Sequence, residues 1–340
     1  MSMTEHWEWA LKKAKGDWLI FLGQDDALQP YFFDLANKLT HVASRKNINS
    51  ICSKRAYFFW HGCEELYGDI AINYEAQNII EVKNFIFNSL KALFGFISYF
   101  ELPQMYTSSI FHKSIINKAR DLQFNNVFSC HPQDANLVAI AASLEKKYLY
   151  SGIPLGWVGT SPKSAGMAIA SVNNTFSNKS MKSLKREYLY KINNSKISYH
   201  YLAGDFSFDN DAIYLWQAFL KTEKLRSIAI NKFLHSHFFK FLLLSSVYAK
   251  MIVSCSLRGK INQFIKIVNI NHMPLFFIKI FSLLFVFLYF LFFSFRYIKQ
   301  IFSTKKKIFF YFTWTDFPNM TIKKISDIVK KNIGGFIYDN

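Results

Sequence analysis

Residues 274–295 read PLFFIKIFSLLFVFLYFLFFSF, and only Lys279, Ser282 and Ser294 interrupt them. A helix of that composition has no polar face for water, so protein or lipid must cover it. The unbroken part, 280–295, is 16 residues long, against the roughly 17–25 that a bilayer span needs. If Lys279 snorkels to the headgroups, all 22 residues can serve. Arg296, Lys299, Lys305, Lys306 and Lys307 follow. Aromatic content is 18%, with 37 Phe, so a wholly buried helix of a soluble domain is the plainer alternative. The run of Phe without a polar face favours lipid. The expected arrangement is in the bilayer plane, or re-entrant with residues 237–253.

Charge divides the chain. Residues 1–170 carry 16 basic and 15 acidic side chains, and residues 171–340 carry 25 and 8, out of a net +18. A basic half fits an anionic membrane surface. Nucleic-acid binding would need basic residues interleaved with exposed aromatics in a recognisable module, and none is present, so no nucleic-acid partner is expected. The four Cys form no CxxC pair. A disulfide scaffold or zinc ribbon is therefore not expected, and a reducing compartment fits. Residues 1–18 carry no apolar h-region, so no secretory signal is expected.

The first forty residues read helix, strand, acidic turn, helix. Trp7, Ala10, Leu11 and Ala14 share a helical face, and Gly16 follows as a C-terminal stop. Residues 18–22, WLIFL, form a continuous apolar run suited to a strand buried on both faces of a parallel sheet. The run opens into Gln24, Asp25 and Asp26, and Pro30 starts a helix over 31–41. Residues 50–60 and 68–74 read as strands, 80–99 as helical, 113–120 and 132–147 as helices, 148–154 as extended and 156–166 as a loop. Residues 172–198 read as a polar, basic linker, and 212–253 as helices.

Adjacent carboxylates at the end of a buried strand are costly unless something positive meets them. Mg²⁺ or Mn²⁺ carrying phosphate oxygens fits, because such ions take one or two protein carboxylates. A solvated turn at a helix N-terminus is the bland alternative.

The string WEWALKKAKGDWLIFLGQDDALQP resembles the middle of family 2 glycosyltransferases with the GT-A fold: helix, A-K-G, apolar strand, D-x-D-type motif and Pro, in order. The resemblance covers about residues 5–170. It implies that Asp26 ligates the metal holding a sugar-nucleotide diphosphate, with Asp25 assisting towards the ribose or a metal-bound water. Gln24 stands where many members carry an acid. In HPQDANL, Asp134 matches the family's acidic residue beneath the acceptor site. That implies a general base for inverting transfer, a role that contributes typically ~10²–10⁴-fold, held ionised by the helix N-terminus. IPLGWVGTSPKSAG, residues 153–166, resembles the segment that follows, with Ser161 and Lys163 for the diphosphate and Trp157 for a sugar face. Arg55, Tyr57 and the segment PQMYTSS (103–109) are weaker candidates for the acceptor cleft. Family members open with base-binding strands that precede the stretch matched at residue 5.

The expected fold class is therefore α/β, a GT-A-like (Rossmann-like) mixed sheet, N-terminally incomplete, followed by a basic, mostly helical membrane-associating region. The expected units are 1–170, 171–270 and 271–340. The resemblance implies an inverting Mn²⁺- or Mg²⁺-dependent transferase. It would take a nucleotide-sugar donor and a glycan or lipid-linked acceptor, in bacterial surface-polysaccharide synthesis at the cytoplasmic face of the inner membrane. The alternatives are a non-catalytic membrane-surface remnant and one subunit of a split enzyme.

Overall fold

A computed structural model describes residues 3–164, 210–254, 257–301 and 307–338. The linker expected at 172–198 lies outside them. In chain order the N-terminal part runs α1 (Met3–Lys13), β1 (Trp18–Leu19), β2 (Ala27–Leu28), α2 (Phe32–Arg45), β3 (Ser50–Ser53), β4 (Ala56–Phe59), α3 (Glu64–Tyr67), β5 (Ile70–Gln77), β6 (Ile80–Asn84), α4 (Phe85–Leu93), β7 (Ser109–His112), α5 (Lys113–Leu122), α6 (Gln133–Leu144), β8 (Lys147–Ser151) and β9 (Gly156–Thr160). Then follow α7 (Asp211–Lys221), α8 (Ile228–His235), α9 (His237–Val253), α10 (Leu257–Ile270), α11 (Leu275–Ile301), β10 (Lys307–Thr313) and α12 (Ile322–Tyr338).

The strands make two five-stranded mixed sheets, ordered β1-β7-β3-β8-β6 and β10-β5-β4-β9-β2. Two chain segments run through both. β3 pairs parallel with β8 in the first sheet, and their continuations β4 and β9 pair parallel in the second. Buried Ser53 is the joint: its amide donates to the Ser108 carbonyl (2.7 Å), and its hydroxyl accepts from the Leu155 amide (3.0 Å). A small hydroxyl there satisfies backbone groups that a bent sheet would otherwise leave bare. Lys54 and Arg55 occupy the bend, so Arg55 is delivered to the crevice between the sheets.

Helix α2 covers the second core with Leu35, Leu39 and Ala43, four residues apart and all buried. α6 is buried along most of its length and packs with α4 and α7 in the other core. That accounts for its Ala-rich sequence.

Several expectations change. The 18–22 run is not a central parallel strand. β1 has two residues, pairs antiparallel with β7, and leaves Leu22 exposed. Its hydrophobicity is spent locally, where Trp7 of α1 stacks on Phe21 at 4.0 Å. Residues 80–99 are not one helix. β6 comes first, then Asn84 caps α4 by accepting from the Phe87 amide at 2.8 Å. Residues 156–160, expected as loop, form β9 inside a sheet.

The C-terminal end differs most. Residues 307–338 are not a basic membrane tail. β10 pairs antiparallel with β5, Lys307 opposite Gln77 through Phe312 opposite Ile72, and becomes the sheet's edge. α12 buries Ile325, Val329 and Ile333 in the same core as α2. The chain leaves the α/β unit through α7–α11 and returns to complete it.

Candidate active site

The acidic turn sits between the sheets, and its two carboxylates are held differently. Asp26 is pinned from three segments. Its Oδ2 accepts from the Gly23 amide (2.7 Å) and the Thr107 hydroxyl (2.8 Å), and its Oδ1 accepts from the Gly159 amide (2.8 Å). Tyr106 also hydrogen-bonds to it, which with burial drives the phenol pKa well up. The backbone is as tightly fitted. A Cβ on Gly23 would lie 2.5 Å from the Tyr106 hydroxyl and 2.6 Å from Asp26 Oδ2, and one on Gly159 would overlap the Asp25 carbonyl. Glycine is required at both positions by close approach.

Asp25 is more open. Its Oδ2 accepts from Ser161 at 3.1 Å, and its carbonyl accepts from the Trp60 indole at 3.2 Å. Partial burial raises its carboxyl above the ordinary value, and the neighbouring Asp26 charge adds to that. Gln24 is exposed at the tip of the turn, and Lys163 is exposed on the loop that carries Ser161.

Asp134 stands in the first turn of α6. Its Oδ1 accepts from the Ala135 amide (2.9 Å) and its Oδ2 from the Tyr99 hydroxyl (3.3 Å). The helix start favours the ionised form, and burial acts against it. Burial raises its carboxyl, and the Ala135 amide, Arg55 and Tyr99 offset only part of that. The preceding loop is fixed by buried Glu8 of α1, which accepts from the amides of Val127 (2.8 Å) and Phe128 (3.1 Å). Thr4 of α1 hydrogen-bonds His131.

The Arg55 charge acts on both Asp134 and Tyr106, against the rise that burial causes in each, and Tyr106 also feels Asp26 and Asp25. The Arg55 guanidinium lies 4.7 Å from the centre of the Phe100 ring, and its Nε is buried without a hydrogen-bond partner. The structure thus brings Asp25, Asp26, Ser161 and Thr107 together, while Asp134 is held separately at the start of α6. Trp157 does not join them. It is fully buried, stacks near Tyr74 and donates to Ser326 of α12 at 3.1 Å, so it cannot meet a sugar. Tyr106 and Thr107 lie in the PQMYTSS segment, but their bonds to Asp26 are not readable from it. The roles of Gly159 and Tyr99 had no sequence signal.

A divalent cation would have to be held by few protein ligands. Among the described residues, no group of three or more His, Cys, Asp or Glu is placed to hold one. What is present suits an ion that brings its own phosphate and water ligands: one partly open carboxylate, Asp25, beside an Asp26 whose oxygens are largely taken by internal donors. No protein-family model matches the chain, and no curated protein matches it.

Proposed function

We propose that the chain is a metal-dependent glycosyltransferase with a GT-A-like α/β unit. It would move a sugar from a nucleotide-sugar donor to a glycan or lipid-linked glycan acceptor, by inversion, in surface-polysaccharide assembly. The observation that carries the proposal is the acidic turn at the sheet junction, where Asp26 is held by Gly23, Thr107 and Gly159 and Asp25 keeps a partly open carboxylate beside Ser161. The mixed α/β architecture, with a parallel pair running through both sheets, is compatible with a donor site at this junction.

The roles follow from the geometry. Asp25 takes the metal-facing position first assigned to Asp26. Asp26 holds the turn, because its oxygens already accept four donors and it has little capacity left. Bound at Asp25, Mn²⁺ or Mg²⁺ would neutralise charge developing on the leaving diphosphate. Ser161 orients the Asp25 carboxylate, and Lys163, exposed two residues further along the same loop, would supply positive charge for a diphosphate. Asp134 accepts the proton of the attacking acceptor hydroxyl, and its raised carboxyl makes it a stronger base than an exposed Asp once ionised. Tyr99 and the Ala135 amide fix its orientation.

The test is thermal stability of the detergent-solubilised protein titrated with UDP, GDP and CMP, each with and without Mn²⁺. Stabilisation by one nucleotide only when metal is present supports the donor site and identifies the base. No shift with any of them overturns it.

A further inference from the structure

Helix α11 is long and apolar enough to cross a membrane, and most of it is exposed. A narrow stripe touches protein: Ile278, Ser282, Phe285 and Tyr289, spaced at 4, 3 and 4 residues and buried. The stripe lies on α9 and on the loop after α4. Phe285 stacks on Phe94 at 5.9 Å, the Tyr289 hydroxyl donates to the Phe94 carbonyl at 2.6 Å, and Phe241 of α9 meets Phe281 at 4.9 Å. On the opposite side of the helix stand Phe276, Ile280, Leu283, Phe287, Leu291 and Ile298, each more than a third exposed. At 100° per residue these six form one outward ridge, with Ser294 its only polar member.

A single crossing conflicts with how this helix is tethered. α11 is ~40 Å long at 1.5 Å per residue. Its middle, at 285–292, is bonded to the α/β unit through Phe94 and Phe96. Near its C-terminal end Arg296 lies 3.9 Å from Glu101 of that same unit. Beyond it, β10 is hydrogen-bonded to β5. In a crossing helix those middle residues would sit ~15 Å from the nearest headgroup, and β10 would be on the wrong side to reach β5. The α9 partner is excluded for the same reason: Phe239 stacks near Phe94, and Ser246 donates to the Phe94 carbonyl at 2.8 Å.

We propose that α11 lies flat in the headgroup–acyl boundary of an anionic phospholipid bilayer, as an in-plane anchor that does not cross it. A free interfacial helix needs a polar face for water. Here the α/β unit takes that place, covering the inner stripe and leaving the outer ridge for acyl chains. The charge pattern selects anionic lipid. Residues 171–340 carry 25 basic and 8 acidic side chains, while residues 1–170 are nearly balanced. Exposed Lys232, Lys266 and Lys279 lie on α8, α10 and α11 themselves. Each basic residue near such a surface contributes ~1 kcal/mol.

The full chain is tested by flotation with sealed vesicles. It should bind a phosphatidylcholine–phosphatidylglycerol mixture, bind phosphatidylcholine alone more weakly, and lose the difference in high salt. The double variant Leu283→Glu, Phe287→Glu changes only outward side chains and should keep its circular dichroism, yet bind the mixed vesicles at least ~10-fold more weakly. Unchanged flotation of the variant overturns the proposal. Orientation is read with Lys46→Cys and Asn319→Cys variants and a membrane-impermeant maleimide. Both should react from the same side, and reaction from opposite sides overturns the in-plane arrangement. A stable dimer by light scattering with no vesicle affinity would assign the ridge to a second copy instead.

Discussion

Asp26 accepts hydrogen bonds from Gly23, Gly159, Thr107 and Tyr106, on three chain segments, whereas Asp134 accepts from its own amide, the adjacent Ala135 amide and, at a longer distance, Tyr99. The acidic turn therefore spends one of its carboxylates on architecture. The α6 start leaves its carboxylate with capacity to spare, half-buried and raised in pKa. The difference teaches how to separate a structural acid from a reactive one. A carboxylate whose oxygens are filled by donors from three chain segments holds those segments together. One whose burial is only partly offset costs stability when ionised, a property shared by many groups at reactive sites.

The comparison can be broken most decisively at Asp134. Asp134→Asn should lower transfer by ~10²–10⁴-fold and leave donor affinity, measured by calorimetry, unchanged. Undiminished turnover would place the base elsewhere. Next in size is the stability of the turn. Asp26→Ala strips a partner from two amides and two hydroxyls, and should lower unfolding free energy in urea by ~2–4 kcal/mol. Asp25→Ala removes bonds from the Ser161 hydroxyl and from the adjacent Asp25 and Ser161 amides at a partly open carboxylate, so it should cost less, ~1 kcal/mol. Equal losses in the two variants would erase the division of labour between them. Asp25→Ala should instead weaken donor binding in Mn²⁺ by ~10-fold or more, and abolish its dependence on the metal. Retained metal dependence would return the ligand role to Asp26.

The reading of these regions from sequence divides along the same line. The Asp25-Asp26 pair, its position after an apolar run and the Asp134 helix were all legible, because each depends on neighbours within a few residues. Which aspartate is the pin was not, since the answer lies in Thr107 and Gly159, 81 and 133 residues downstream. Strand β10 was hidden for a related reason. KIFFYFT follows a lysine cluster and looks like the flank of a membrane segment, and its partner β5 lies more than 200 residues earlier. Trp157 was misplaced because an aromatic in a Gly-rich stretch reads as exposed until a returning helix, α12, is known to cover it. Helix α11 was legible in composition, but its packing against the α/β unit through Phe94, and the return of the chain as β10 on β5, were not.

The smallest effect is a pH dependence of stability, and its sign is fixed. Asp134 has a folded-state pKa above its unfolded value. The folded protein therefore holds that proton more tightly than the unfolded chain. This favours folding below the unfolded pKa, and the benefit is lost as pH rises through the folded pKa. Above the folded pKa the ionised, desolvated carboxylate is a net cost. Asp134→Asn keeps the shape, removes the charge and should raise Tm at pH 7. As pH falls towards 4 the native Asp takes up its proton and the advantage of Asn should shrink. Asp25→Asn should act in the same direction and less, since Asp25 is less enclosed and keeps the Ser161 bond. Asp26→Asn should do the reverse and lower Tm at pH 7, because an amide nitrogen placed among four donors cannot accept from any of them. Opposite signs for Asp26 and Asp134 in one set of melting curves would separate the pin from the base without any substrate. The same sign for both would mean that the count of donors does not distinguish them.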